Sequence, residues 1–164
     1  MKDQFQRQIN YMRLSVTDRC NLRCHYCMPK GMENVLPVEK LLSFSELLFL
    51  AEEASKLGIS RFKVTGGEPL VQAEFVEAYF KLCHEEGIHT ALDTAGSVWN
   101  EAARRAAAEA DLILFDVKTV DDSIHKEYIG VTRQNNARFL DYLQEIGKPI
   151  WLRHVVVPGI TDRD

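Results

Sequence analysis

The stretch Cys20-Asn21-Leu22-Arg23-Cys24-His25-Tyr26-Cys27 places three cysteines within eight residues, separated by three and then two residues. It follows an apolar segment at residues 12–16 whose composition predicts a β-strand. The cysteines are therefore expected in a loop just beyond the carboxyl end of a strand. In parallel α/β folds this end of the sheet carries the functional groups, so the loop predicts where the site of this protein lies.

Downstream of the cysteine loop, short apolar segments alternate with segments of helical periodicity. Ser43 and Glu46 form a capping-box signature that predicts a helix extending to Gly58. Further strands are predicted at residues 62–65, 90–93, 112–117 and 150–157, and further helices at 73–86, 100–110, 123–128 and 136–146. Five strands joined by helical crossovers predict a parallel sheet with helices outside it.

The predicted strands carry more polar residues than the strands of a parallel sheet that is covered on both faces. Basic residues occur in or at the end of four of them, namely Arg13, Lys63, Lys118 and Arg153. By the two-residue period of a strand, this pattern favours an inner face that holds a hydrated, partly anionic ligand. Arg13 and Lys63 are equally compatible with solvent-facing positions.

We therefore predict an α/β fold, a partial (β/α) barrel of about five parallel strands. The sequence has no Gly-x-Gly-x-x-Gly turn, which argues against a dinucleotide-binding fold.

The composition is that of an ordinary globular protein, with 164 residues, 46% of them hydrophobic, and a formal net charge of -4. The acidic balance argues against binding to nucleic acid. No apolar run approaches the roughly 18 residues of a membrane span, and the polar start of the chain does not resemble a signal peptide. We expect a single domain over residues 1–164 in the cytoplasm, where thiols stay reduced.

Three reduced cysteines at this spacing indicate a metal centre, since a disulfide would leave one of them unpaired. A structural zinc ion needs a fourth ligand, and His25 is awkwardly placed for that role between two of the cysteines. Three thiolates on a four-iron cluster would instead leave one iron open to a substrate. Cys83 has helical spacing with Tyr79 and Phe80, which favours a place in the core.

The pattern Cys-x-x-x-Cys-x-aromatic-Cys, followed about forty residues later by Gly66-Gly67-Glu68-Pro69, resembles the radical S-adenosylmethionine (SAM) superfamily. Residues 4 to about 70 are similar to the GTP 3′,8-cyclase of molybdenum-cofactor biosynthesis. Residues from about 72 onward are similar to the pyruvate formate-lyase activating enzyme, in the segments 72–76, 86–90, 92–94 and 155–159. The change falls near residue 70, which fits either a divergent member or a hybrid of the two groups.

The resemblance implies a [4Fe-4S] cluster on the three cysteines of the triplet. It also implies that SAM binds there and is cleaved reductively to methionine and a 5′-deoxyadenosyl radical. Gly66 and Gly67 would let the backbone approach the amino group of SAM. Glu68 would lie near that ammonium group, or would only brace the loop. Tyr26 would lie beside the adenine, or would pack on the rim of the barrel.

In the activating enzyme the positions that match Asp93, Thr94 and Asp116 bind a monovalent cation and the SAM carboxylate, and the resemblance implies the same here. Two carboxylates at adjacent strand ends repel each other unless a cation lies between them, which agrees with this role. Lys118 offers a compact positive charge for the SAM carboxylate, or forms a simple ion pair with Asp116. Arg153 matches a basic position on the fifth strand and completes the predicted cofactor-binding residues.

The resemblance also predicts the partners: SAM, a reducing electron donor such as flavodoxin and, for the favoured activity, a glycyl radical enzyme. Two alternatives remain, a GTP 3′,8-cyclase reaction and a non-catalytic metal module with zinc or an electron-transfer centre. The second cysteine cluster of the cyclase has no counterpart here, and neither does a further strand of the activating enzyme with its SAM-site histidine. The barrel is therefore predicted to lack its last strand or strands, with an open edge available for a homo-oligomer.

Overall fold

A five-stranded parallel sheet forms the centre of the computed structural model, which describes residues 2–28 and 35–162. The strands are β1 (Tyr11–Ser15), β2 (Arg61–Thr65), β3 (His89–Thr94), β4 (Leu112–Val117) and β5 (Ile150–His154). They lie in the order β1-β2-β3-β4-β5, and each neighbouring pair is parallel. The predicted α/β fold with five parallel strands is confirmed.

Helices connect the strands. They are α1 (Phe44–Lys56), α2 (Ala73–Glu85), α3 (Glu101–Glu109), α4 (Asp122–Ile124) and α5 (Gln134–Glu145), with short 3-10 helices at Val38–Lys40 and Pro69–Gln72. The predicted capping box is present at the start of α1, where the side chains and backbone N–H groups of Ser43 and Glu46 bond reciprocally. A π-helix at His125–Ile129 follows α4 directly, so the segment predicted as an ordinary helix at 123–128 is mostly π-helical. In the described part of the chain, no helix is long and apolar enough to cross a membrane.

The core lies between the sheet and the helices, and it follows from the alternation of side chains along each strand. On β2, Phe62 and Val64 are fully buried in this core, whereas Lys63 lines the opposite, concave face. The α2 helix contributes the buried residues Val76, Tyr79, Phe80 and Cys83. Burial raises the pKa of the Cys83 thiol to about 12, so this cysteine is an inert core residue, as its spacing predicts.

The concave face of the sheet holds a cavity of about 550 Å³ toward the amino ends of the strands. Its lining combines apolar and basic side chains, among them Tyr11, Lys63, Leu114, Trp151 and Arg153. Of the two basic residues whose orientation the sequence left open, Lys63 points inward. Arg13 lies opposite Lys63 in the β1–β2 register, on the same face of the sheet, and is exposed. Lys118 lies one residue beyond the end of β4.

The prediction that the fifth strand continues to residue 157 is wrong, because β5 ends at His154. Among the described residues its strand neighbour is β4, which ends at Val117, so the residues beyond His154 have no ladder to join. Their backbone groups pair locally instead. The Thr161 hydroxyl donates to the Val155 carbonyl and accepts from the Val157 N–H.

Candidate functional site

The carboxyl end of the sheet carries a cavity of about 230 Å³ in which most of the predicted site residues converge. The predicted residues in its lining are Cys20, Cys24, Cys27, Gly67, Glu68, Asp93, Thr94, Asp116, Lys118 and Arg153. Gly66 and Tyr26 were also predicted, and they are adjacent in sequence to lining residues without being part of the lining. Segments far apart in sequence therefore form one site around the cysteine loop.

Three other segments of the chain bind the cysteine loop, which comprises residues 19–27. The turn after β2 binds it through the Glu68 N–H, which donates to the Arg19 carbonyl at 2.9 Å. The loop after β3 binds it through Ser97, whose hydroxyl donates to Asn21 Oδ1 at 2.6 Å. The third contact comes from the π-helix, whose last carbonyls accept from backbone N–H groups on both sides of Cys24.

The three thiols are free, and they differ in exposure: Cys24 is buried, Cys20 is half-buried and Cys27 is exposed. Burial raises the pKa of the Cys20 and Cys24 thiols, and at Cys24 the positive charge of Lys118 opposes this rise. Metals bind the thiolate rather than the thiol. Metal binding at this site therefore releases protons, and the affinity for the metal decreases as the pH falls.

The donor set fits an iron–sulfur cluster better than a single metal ion. Within residues 2–28 and 35–162, no three Cys, His, Asp or Glu side chains are arranged closely enough to hold one ion. A structural zinc ion needs four such donors around it. A four-iron cluster instead takes its cysteine thiolates on different irons, which spaces them apart. Three thiols around a shared cavity match a cluster with one iron free of protein ligands.

Two glycines after β2 allow the chain to pack directly on the cysteine loop. Gly66 and Gly67 have φ angles of +104° and +43°, a region that favours glycine. A Cβ on Gly67 would lie 1.9 Å from the Arg19 carbonyl oxygen, and one on Gly66 would lie 2.2 Å from Ser15 Oγ. The glycines are therefore required by the contact with β1 and the cysteine loop. Their approach to the amino group of SAM stays a prediction.

Glu68 is buried, with 2% of the residue exposed. Its carboxylate braces the loop that follows β3. Oε1 accepts from the Thr94 hydroxyl at 2.6 Å and from the Leu70 N–H at 3.2 Å. Oε2 accepts from the Ala95 N–H at 3.0 Å, and the Ser97 hydroxyl, which donates to Asn21, lies 3.4 Å from it. Burial raises the pKa of this carboxyl, although the hydrogen bonds oppose the rise. Of the two predicted roles of Glu68, the structure shows the brace, and a contact with SAM stays a prediction.

Asp93 and Asp116, on neighbouring strands, are bridged by one guanidinium. Arg153 lies opposite Asp116 in the β4–β5 register, and its Nε donates to Asp116 Oδ1 at 2.9 Å while Nη1 donates to Asp93 Oδ2 at 3.2 Å. On the other side, Lys63 Nζ lies 2.9 Å from Asp93 Oδ2. The repulsion between the two carboxylates, which predicts a cation between them, is thus offset by cationic side chains.

Thr94 does not face this pair of carboxylates. It follows Asp93 on β3, so its side chain leaves the opposite side of the strand, and its hydroxyl donates to Glu68. A monovalent cation on Asp93, Thr94 and Asp116 stays a prediction, and within the described residues the cations beside these aspartates are lysine and arginine side chains.

Lys118 lies between the aspartates and the cysteines. Its Nζ is 3.4 Å from Asp116 Oδ2 and 5.9 Å from the centre of the exposed Tyr26 ring. Burial lowers the pKa of Lys118, but the charge of Asp116 and the interactions with Tyr26 and Cys24 outweigh it and leave the pKa raised. The predicted ion pair with Asp116 is therefore present, and Lys118 stays positively charged in the lining of the cavity.

Sequence reasoning missed three parts of the site: the Lys63–Asp93 ion pair, the Asn21–Ser97 pair and the π-helix. The strand period identified Lys63 as facing either inward or outward, and the pairing of Lys63 with Ala91 across β2 and β3 decides the question. No local signal connects Asn21 with Ser97, which lie 76 positions apart.

Comparison with known proteins identifies one family. The family model described as the Radical SAM superfamily matches residues 14–164. The pyruvate formate-lyase-activating enzyme of Streptococcus mutans is 36% identical over 156 residues, which cover 88% of this chain and 59% of that protein. The GTP 3′,8-cyclase of Thermodesulfovibrio yellowstonii is 35% identical over 168 residues, which cover 99% of this chain and 52% of that protein. The chain thus spans little more than half the length of these curated relatives.

The fold recurs among solved structures. The crystal structure of Streptococcus suis SuiB matches with a TM-score of 0.74 at 18% sequence identity, over 91% of this chain and 33% of SuiB. At this identity the likeness concerns the fold alone. It agrees with the partial barrel of five parallel strands and outer helices.

Proposed function

This chain belongs to the radical SAM superfamily, and on that premise we propose that it cleaves SAM reductively to methionine and a 5′-deoxyadenosyl radical, which abstracts hydrogen from a substrate. The single cavity shared by three thiols and a set of charged side chains supports this proposal most directly. A structural zinc ion or a simple electron-transfer centre does not require charged side chains in a cavity beside the metal. We call Lys63, Asp93, Asp116, Lys118 and Arg153 the ionic set.

The cysteines of the triplet would hold the [4Fe-4S] cluster, which when bound supplies one electron to the sulfonium of SAM. The ionic set has three cationic side chains and two carboxylates, so it carries one positive charge in excess. That excess suits the carboxylate of an amino acid. Lys118 is the member of the ionic set whose charge acts on Cys24, and it would bind the SAM carboxylate.

Apolar side chains keep water from the buried part of the cysteine loop. Cys24 packs with Leu22, Ala95 and Ile129, all of which are buried. A dry environment strengthens the attraction between Lys118 and an anionic group of the ligand. It would also protect a reactive carbon radical from solvent.

Glycyl-radical-enzyme activation is the reaction that we favour, with a glycyl radical enzyme as the protein substrate and a flavodoxin-like reductant in the cytoplasm. Its support is the resemblance of the segments around Asp93 and at residues 155–159 to the activating enzyme, together with the 36% identity to a curated member of that group. A GTP 3′,8-cyclase-like reaction is the second candidate. It is supported by an alignment that covers 99% of the chain at 35% identity.

The proposal is tested by anaerobic reconstitution with iron and sulfide, followed by reduction in the presence of SAM and an assay for 5′-deoxyadenosine. Cys24→Ala should abolish cluster assembly and product, because it removes a ligand. Cys83→Ala is the matched control, since that thiol lies in the core, and it should leave the iron content unchanged. Equal loss of iron in the two variants would contradict the ligand assignment.

The two candidate reactions are separated by adding substrates to the reconstituted protein. A glycyl radical signal on pyruvate formate-lyase, measured by electron paramagnetic resonance, would support the activating reaction. Consumption of GTP without such a signal would support the cyclase-like reaction. A cluster that forms without any 5′-deoxyadenosine would contradict SAM cleavage by this chain.

A further inference from the structure

The π-helix at His125–Ile129 contacts the cysteine loop on both sides of Cys24. The Arg23 N–H donates to the Ile129 carbonyl at 2.8 Å, and the His25 N–H donates to the Tyr128 carbonyl at 2.9 Å. These carbonyls belong to the last turn of the helix, where backbone acceptors have no partner within the helix. The backbone on either side of Cys24 is therefore fixed to this turn.

Side-chain packing repeats the same contact. Ile129 is 1% exposed and forms one buried cluster with Leu22 and Cys24, and the Tyr128 ring meets the His25 ring edge-on at 5.3 Å between centroids. Gly130 ends the π-helix with a φ of +88°, and a Cβ there would lie 3.2 Å from Arg23 Cβ. The cysteine loop and the π-helix are thus fitted closely to each other.

His125 closes this turn from inside. Its backbone carbonyl accepts from the Gly130 N–H at 3.2 Å, and its ring Nδ1 lies 2.7 Å from the Val131 carbonyl oxygen. Since a carbonyl only accepts hydrogen bonds, Nδ1 must carry the proton. His125 is 1% exposed, and its Nε2 has no hydrogen-bond partner among the described residues. The Nδ1 bond is therefore the polar contact that accounts for a histidine at this buried position.

We propose that His125 is a positioning residue for the cluster ligand Cys24. It fixes the π-turn, and the turn holds the N–H groups of Arg23 and His25 so that Cys24 is presented to the cluster. A π-turn within a helix is uncommon and is found frequently at functional sites. The inference rests on the proposed function only in taking Cys24 as a ligand.

The loaded protein gives the first test, with the rate of iron loss to a chelator under anaerobic conditions as the readout. His125→Leu removes the Nδ1 donor and should lose iron at least about tenfold faster than the parent, as for other residues that orient metal ligands. His125→Asn keeps an N–H donor at the position of Nδ1 and should restore the rate to within about threefold of the parent. An unchanged rate in His125→Leu, or equal rates in the two variants, would overturn the proposal.

His84→Ala is the matched control for a general loss of stability. His84 is a partly buried histidine on α2 that contacts Glu109 and Asp111, away from the cysteine cavity. It should lower the thermal midpoint without changing the rate of iron loss at a temperature where the variant is folded. Acceleration by His84→Ala as large as that by His125→Leu would mean that global destabilisation explains both, and the positioning role would be abandoned.

Amide hydrogen exchange of the cluster-free protein provides a second readout that needs no cluster. In the parent, the amides of Arg23 and His25 should be protected, and in His125→Leu they should exchange faster than the amides of the core strand β3. Exchange that is uniformly faster, or unchanged at these two amides, would overturn the link between His125 and the loop. If the parent binds no cluster at all, the proposed function fails, whereas the exchange experiment still decides whether His125 positions the loop.

Discussion

The two kinds of carboxylate in the site have opposite environments. Glu68 is buried and accepts hydrogen bonds from the Thr94 hydroxyl and from two backbone N–H groups. Asp93 and Asp116 are partly exposed, line the cavity and pair with cationic side chains. The hydrogen bonds of Glu68 fix the backbone around the site. The charged side chains around Asp93 and Asp116 can instead exchange their partners for a charged ligand.

This difference separates two parts of the site. We call Gly66, Gly67 and Glu68, which fix the backbone, the frame, and the ionic set is the binding surface. Buried backbone N–H groups cannot find other partners, so losing Glu68 carries the full desolvation penalty of each donor. The ion pairs of the ionic set line a cavity, so their side chains can exchange partners when a charged ligand enters. Substitutions in the frame should therefore lower stability most, and substitutions in the ionic set should change ligand binding most.

The largest effect is expected for Gly67→Ala, which breaks the frame where it meets the cysteine loop. A Cβ would lie 1.9 Å from the Arg19 carbonyl, so the free energy of unfolding in urea should fall by more than about 4 kcal/mol. Gly147→Ala is the control, because Gly147 has a φ of +62° with nothing within 4 Å of its Cβ position. It should cost only the left-handed strain of about 1–2 kcal/mol. Equal losses would show that the contact with Arg19 is unimportant.

A smaller loss is expected for Glu68→Ala. The Ala95 and Leu70 N–H groups would lose their acceptor in a buried place, so the free energy of unfolding should fall by at least about 2 kcal/mol. Glu85→Ala, at an exposed position of α2, should change it by less than about 0.5 kcal/mol. Denaturation curves of the cluster-free proteins measure both. If the free energy of unfolding falls no more in Glu68→Ala than in the control, Glu68 does not stabilise the backbone of the site.

The pH dependence of stability tests the buried state of Glu68 directly. Because burial raises the pKa of Glu68 in the folded protein, its contribution is fully present below about 4.5, its ordinary value, and is lost as the pH rises through the raised pKa. The parent should therefore lose stability relative to Glu68→Gln as the pH rises, by at most about 1.4 kcal/mol per pH unit. Urea midpoints between pH 4.5 and 8 give this difference. A difference that does not change with pH would contradict the raised pKa.

The smallest effect on stability, and a clear one on binding, is expected for Lys118→Ala. It removes the cation of the ionic set that acts on Cys24 and should weaken SAM binding about fivefold to tenfold, or about 1–1.4 kcal/mol, without lowering the iron content. Equilibrium binding of SAM to the reconstituted protein measures the change. Lys81→Ala, on the exposed face of α2, should bind like the parent. Unchanged affinity in Lys118→Ala would exclude Lys118 from the SAM site.

The sequence predicted those features of the fold and site that depend on local pattern. The cysteine spacing, the glycine pair and the strand period placed Cys24, Gly67 and Asp116 in one region. The bridge by Arg153 depends on the register of β4 and β5, which no local pattern determines. The π-helix was predicted as an ordinary helix, because no local sequence pattern reveals the bond from the Gly130 N–H to the His125 carbonyl, five residues earlier, that makes it a π-helix.

Two of the three supports of the cysteine loop come late in the chain, and this has a consequence for biosynthesis. Ser97 follows Asn21 by 76 positions, and the π-helix is synthesised later still. A ribosome therefore releases the three thiols long before Ser97 and the π-helix, which fix the loop on two sides, exist. Contacts over such separations form slowly. Cluster insertion is accordingly expected after the sheet has assembled through β4, so that iron delivery during translation would meet a loop without its final shape.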